Sequence, residues 1–198
     1  MAISNNGELK TAIYRWSNKD NMTAVAPDFI TLAQERITND IIKNGGSRHL
    51  EDSTAITSTT AVSLPSDLLS IRSVSVAVNG VNRELRPISI NMAQRSAGLP
   101  VDYYMQAGAV NPSPVADASY VYTVAYIKKL AAFSADSDTD SILENHASLY
   151  LYACLLEASI YLKDVQKASA YQIGYNERMS SFLGVDKNRF GNMSVRVA

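Results

Sequence analysis

The chain has 198 residues, 46% of them hydrophobic, and a formal net charge of −1. That suffices for one domain, or one domain with a small insertion, to bury a core without disulfides. The near-zero charge excludes the basic excess with which proteins grip a nucleic-acid backbone, and a lone cysteine, Cys154, excludes an intramolecular disulfide.

Residues 1–6 show no basic start and no long apolar run, so no signal peptide is expected. No window reaches the length of a membrane span. Residues 8–18 place Leu9, Ile13 and Trp16 at helical spacing, with Lys10, Arg15 and Lys19 on other faces, which predicts a short amphipathic helix. A polar break at 18–21 follows. A second helix is predicted from Pro27, with Asp28 at the positive end of its dipole and a stripe of Phe29, Leu32, Ala33, Ile37 and Ile41. Lys43 and then Gly45-Gly46 read as its stop. The chain is thus expected to open with an αα-hairpin.

From Arg48 to about Val124 serine, threonine and valine dominate and helical stripes vanish. Residues 54–64 alternate partly, and Pro65 and Asp67 interrupt them. Residues 71–78 lead into Asn79-Gly80 and then 81–88. Asn-Gly between two such runs signals a tight hairpin, because both central residues need positive φ. Residues 91–96 suit a helical turn or two, and 102–108 form another strand candidate. Residues 119–128, with Tyr120, Tyr122, Val124 and Tyr126 on one face, form the clearest strand. The expectation is one small antiparallel sheet of roughly four to six strands.

Residues 134–141 form a Ser/Asp loop that ends in helix-capping residues, Asp140 or Ser141, with Glu144 in the first turn that follows. Residues 142–162 predict the most apolar helix, with two apolar faces. Such a helix is covered from more than one side, and its neighbours need not all come from one chain. Tyr150, Tyr152, Leu156 and Ile160 are its candidate subunit-interface residues. Lys163-Asp164 marks a break. A last helix is predicted over 165–183, with Val165, Ala168, Gln172, Tyr175, Met179 and Phe182 as its stripe and Gly184 as its end. The tail, 185–198, has no periodicity and is expected to be flexible in isolation. Its Lys187, Arg189, Phe190 and Arg196 are candidates for a partner-binding arm.

The predicted fold class is α+β: a four-helix bundle-like part, two helices from each end, with an inserted antiparallel β-rich segment. Residues 1–47 form the N-terminal hairpin, 48–133 the insertion, 134–184 the C-terminal helical pair, and 185–198 the arm.

No catalytic, metal or cofactor site is predicted. His49 and His146 lie far apart in sequence. They read as one surface histidine and one interface or cap histidine, rather than as a catalytic pair with Cys154. Asp136-x-Asp-x-Asp140 resembles the start of a calcium loop, but Ser141 stands where the glycine is required and Ala147 where the glutamate is. A solvated turn with an N-cap is preferred. Tyr103, Tyr104, Tyr120, Tyr122 and Tyr126 could stack on bases, as in a single-stranded nucleic-acid-binding module. Their only basic neighbours are Lys128-Lys129, so core packing or oligomer contact is preferred. An enzyme would need a site gathered from residues as scattered as His49, His146 and Asp138.

Residues 122–164 carry a resemblance. Tyr126-Ile-Lys-Lys-Leu leads through the Ser/Asp loop to Leu149-Tyr-Leu-Tyr-Ala153, then Leu155-Leu-Glu-Ala158 and Tyr161-Leu-Lys-Asp164. With Leu64-Pro-Ser-Asp-Leu-Leu-Ser-Ile-Arg-Ser-Val74 and Leu99-Pro-Val-Asp-Tyr-Tyr104, this resembles the head-to-tail connector adaptors of short-tailed (podovirus-like) and related tailed phages. The likeness covers most of the chain, more weakly toward its N-terminus. It departs at His146-Ala147, where the family has a proline-containing turn at the helix start. The resemblance implies a non-enzymatic virion protein at the head–tail interface, made in the host cytoplasm. It implies a homo-oligomeric ring of about twelve copies, docked on the portal and carrying the next tail or nozzle protein. DNA would pass through without sequence-specific binding, with no membrane and no cofactor involved. A tail-completion or stopper ring protein is the alternative within the same class.

Overall fold

The structure, a computed structural model, describes residues 3–18, 22, 24–94 and 96–190, with side chains as far as residue 185. The chain divides into two units, residues 1–49 with 130–198, and residues 50–129. The fold is α+β.

Among the described residues the first unit holds four α-helices, α1 (Asn6–Ser17), α2 (Ala26–Lys43), α3 (Ser141–Tyr161) and α4 (Val165–Phe190). Asn5 caps α1 by accepting from the Glu8 N–H at 2.9 Å. Pro27 sits in the first turn of α2, and Gly45 and Gly46 take φ of 97° and 89° beyond its end. The stop read from those glycines rests on a conformation that L side chains avoid. Helix α1 buries Leu9 and Ile13, and α2 buries Phe29, Ile30, Ala33, Ile37 and Ile41. Each buried Leu or Ile contributes about 1.5–3 kcal/mol of apolar transfer. Both helices pack chiefly on α3 and little on each other, so the expected N-terminal hairpin is not a self-contained pair. Side-chain bonds tie the bundle: Arg36 Nε donates to Glu157 at 2.7 Å, and the Tyr175 hydroxyl donates to Asp40 at 2.8 Å.

Helix α3 begins at Asp140, whose carboxylate accepts from the N–H groups of Ile142 and Leu143 at 2.9 and 2.8 Å. It is broken at His146, which has φ −137° and ψ 44°. The position that departs from the adaptor-like pattern therefore still carries a backbone break, made without proline. After α3, Lys163 takes a left-handed φ of 56° and Asp164 accepts from Lys167 N at 3.0 Å, which starts α4.

The end of α4 differs from expectation. The helix runs through Gly184 to Phe190 instead of stopping at 183. Gly184 has helical backbone and open space around its Cβ position. An internal glycine costs a helix about 1 kcal/mol relative to alanine, which the helical turns on both sides override. Lys187, Arg189 and Phe190 therefore belong to a helix and not to an aperiodic tail. Arg196 lies outside the described residues.

Among the described residues the second unit holds ten strands: β1 (Glu51–Ser58), β2 (Val62–Ser63), β3 (Leu68–Val78), β4 (Val81–Glu84), β5 (Arg86–Pro87), β6 (Ala97–Gly98), β7 (Asp102–Gln106), β8 (Ala109–Ser113), β9 (Val115–Ala116) and β10 (Tyr120–Lys128). They form two four-stranded sheets, ordered β1-β10-β3-β4 and β2-β8-β7-β5, and a β6-β9 pair. The expected single sheet is thus split, and β5-β7 and β6-β9 pair in parallel. The two larger sheets share one core of Val74, Val76, Tyr122, Val124 and Tyr126 with Val62, Leu85, Tyr103 and Val110. Asn79-Gly80 makes the predicted turn, with φ of 51° and 79°. A second such turn, Ala107-Gly108, joins β7 to β8 with φ of 52° and 72°. Alanine disfavours that region, so this turn carries no local signal.

Candidate functional site

The residues that bear chemistry are each engaged elsewhere. In the Ser/Asp loop, Asp136 pairs with Lys10 at 2.8 Å. Asp138 accepts from Ala135 N at 2.8 Å and Ser134 N at 2.6 Å, and these backbone bonds hold its carboxyl below the usual range. Asp140 caps α3 and accepts the Tyr150 hydroxyl. The three carboxylates point to three different tasks, the opposite of a calcium cage. The loop also fastens α1, with Asn6 N donating to Asp138 O at 2.8 Å and Gly7 N to Asp136 O at 2.9 Å.

The histidines are not separate, as the sequence led us to expect. His49 and His146 stand edge to face with ring centres 5.8 Å apart, and Phe182 packs on both. His49 Nδ1 lies 3.1 Å from Ser141 Oγ. Their convergence follows from the break at His146, which a periodic reading of α3 does not contain. Cys154 is fully buried, and burial pushes its thiol up. It therefore stays protonated and is no nucleophile. Among the described residues no group of three or more His, Cys, Asp or Glu side chains could hold a metal ion, and no helix is long and apolar enough to cross a membrane.

The tyrosine-rich strands face inward. Tyr103, Tyr122 and Tyr126 are buried in the β core, and burial pushes the Tyr122 phenol up to about 12. Lys128 pairs with Asp52 at 2.9 Å. Tyr104 and Tyr120 are half-buried, Tyr120 donates to Asp117 at 2.7 Å, and Lys129 is exposed. A stacking platform needs open ring faces beside free cations, and this sheet offers at most two half-covered rings and one lysine for it.

What remains is apolar surface. The turn between α3 and α4 leaves Ile160 53%, Tyr161 59%, Val165 76% and Ile173 62% exposed. Ile160, Val165 and Ile173, with Leu156 and Ser159, line a groove of about 570 Å³ that also meets Lys163 and Asp164. The β unit has a second open groove, about 490 Å³, lined by Leu68, Ile71, Ile88, Ile90, Tyr103 and Met105 with no charged residue. Contiguous apolar surface of this kind marks contact with another macromolecule more often than a lone exposed leucine does.

Of the four candidate interface residues on α3, Tyr150 and Leu156 are buried in their own chain. Tyr152 is half-buried against Trp16 and Tyr171, under Arg178. Ile160 is the one of the four that is open to a partner. Sequence reasoning missed Tyr161 and Ile173. It also placed Val165 on the buried stripe of α4, whereas Val165 opens that helix ahead of its buried contacts. Periodicity finds an apolar face but not where along the helix packing begins.

In comparison with known proteins, the model of one family, described as SU10 adaptor protein, matches residues 4–197. No curated protein matches.

Proposed function

Because the chain belongs to the SU10 adaptor protein family, a phage head-tail adaptor family with a structural role in the virion, we propose that it forms a closed ring of about twelve copies between the portal and the next tail protein. DNA passes through the ring without sequence-specific contact. The observation that carries this reading is the family match over nearly the whole chain. Three features support it. The exposed apolar corner of α3 and α4 calls for a macromolecular partner. Repeated head-to-tail contacts between identical copies close into rings when the rotation permits. A net charge of −1 suits a wall that must not hold DNA during ejection.

In this reading the helical unit bears the portal-facing contacts, and the last turns of α4 with the residues beyond serve as the arm. Lys187, Arg189, Phe190 and Arg196 are its proposed anchors. The proteins are made in the host cytoplasm and meet on the filled head. A tail-completion ring would share the fold and differ in lacking direct contact with portal. Electron microscopy of purified portal rings mixed with the chain separates the two. The adaptor reading predicts one added tier of density on the tail-facing side of the portal, and bare portals would refute it.

A further inference from the structure

The sheet ordered β1-β10-β3-β4 has two edges, and β1 is poorly guarded against pairing. Ser53–Ser58 carries no charge, proline or glycine, and β1 meets β10 without a bulge. Natural proteins blunt exposed edges with those devices, or pair them.

The backbone directions on both edges follow from the hairpin. Val78 and Val81 flank the two-residue turn Asn79-Gly80 and form the hydrogen-bonded pair that closes it. Bonded and non-bonded pairs alternate along an antiparallel ladder, so Asn82 and Glu84 turn their N–H and C=O groups away from β3. By the same alternation Ala77 and Ser75 bond Val121 and Thr123 of β10. Val121 and Thr123 therefore do not bond β1, and Thr57 and Ala55 opposite them face outward. The Ser53 N–H, on the same outward side, is taken by the Asp52 carboxylate at 2.8 Å, so the open stretch begins after it. The outward groups of the two edges thus lie in the same two rows, Thr57-Val121-Ala77-Asn82 and Ala55-Thr123-Ser75-Glu84.

We propose that β1 of one copy pairs with β4 of the next, Thr57 opposite Asn82 and Ala55 opposite Glu84, so that the sheets of successive copies join into one continuous antiparallel ladder; this rests on the ring reading. Strand direction alternates across the four strands, because every pairing in this sheet is antiparallel. Strand β4 therefore runs opposite to β1, and rotation about a ring axis keeps that relation in the next copy. Pairing β1 with β1, or β4 with β4, would instead create a two-fold contact that closes at two copies. The charges agree. In the level register Glu84 faces Ala55 and Arg83 faces Ile56. Glu51 and Asp52 sit at the far end of β1, held by Arg72 and Lys128 at 2.9 Å each, so no carboxylates oppose one another.

The test compares the free wild-type chain with rings mounted on portal, by hydrogen exchange of the segments 53–58 and 81–85, and adds a T57C/N82C variant oxidised in the assembled state. A hydrogen-bonded pair spaces its Cα atoms about 5.5 Å apart, within disulfide reach, and Cys154 is buried away from the reagent. The pairing predicts at least tenfold slower exchange of outward amides in both segments. It also predicts a disulfide ladder extending to the full ring in the double variant, with each single variant remaining monomeric on a denaturing gel. A ring on the portal whose two segments exchange as in the free chain would overturn the pairing and leave the ring intact. Disulfide dimers of T57C alone would overturn it in favour of a two-fold contact. Failure of the wild-type chain to form any ring would overturn the ring reading, and the pairing with it.

Discussion

Gly174 yields its side-chain position to Tyr152. A Cβ there would stand 2.5 Å from Cδ1 of the tyrosine and nearer still to Cε1. Arg178 lies over the other side of this arrangement, 3.5 Å from the ring centre, and donates to the Gly174 carbonyl at 2.8 Å. Alanine at 174 gains about 1 kcal/mol of helix propensity, but it displaces a packed ring, for which overpacking costs about 1–3 kcal/mol. Gly174→Ala should therefore destabilise the helical unit in urea titration. In a Tyr152→Ala background the same change should be neutral or stabilising. Stabilisation in the wild-type background would show that the ring is not held as described.

Asp140 does two tasks at the start of α3. Its carboxylate accepts two backbone N–H groups and the hydroxyl of the buried Tyr150. Losing an N-cap costs about 0.5–2 kcal/mol, and orphaning a buried hydroxyl costs about 1–3 kcal/mol. Asp140→Ala should lose more stability than Tyr150→Phe, which keeps the cap and removes the hydroxyl along with its need. Equal losses, read from chemical denaturation, would contradict the shared role.

Asp138 sets a pH dependence. Bonds from the Ala135 and Ser134 backbone hold its carboxyl below the ordinary range. A depressed folded pKa stabilises the protein above the unfolded value, about 3.9, and that contribution is lost as pH falls through the folded value. Asp138→Asn should thus melt below wild type at pH 7, with the gap narrowing below about pH 4. A gap that widens on acidification would reverse the assignment.

The arm is testable by truncation. Removing residues after Gly184 leaves the buried Tyr175, Met179, Phe182 and Leu183 in place, so the helical unit should still fold by circular dichroism. The dissociation constant for portal should rise about tenfold, the effect of losing roughly 1.4 kcal/mol of contact. An unchanged constant would remove Lys187, Arg189, Phe190 and Arg196 from the portal contact.

Much of the fold was legible in local chemistry. Pro27, Gly45-Gly46 and Asp140 mark helix boundaries by capping and φ requirements that act within a few residues, and Asn79-Gly80 marks its hairpin in the same way. Legibility ended where distant parts decide. Ala107 adopts a positive φ because its strands pair, Gly184 continues a helix that surrounding turns hold, and His49 reaches His146 across 97 residues of chain. The apolar corner was half visible: periodicity found Ile160 but not Ile173, and it could not say which side of each helix its own chain covers. The open rows of β1 and β4 could not be read before the register was known.

The ring itself is tested most directly by mass photometry of portal particles before and after the chain is added. With 21.6 kDa per copy, the account predicts a gain of about 260 kDa per portal, the mass of about twelve copies, whether or not the free chain is monomeric. A portal mass that stays unchanged at saturating chain would contradict direct docking and with it the adaptor ring.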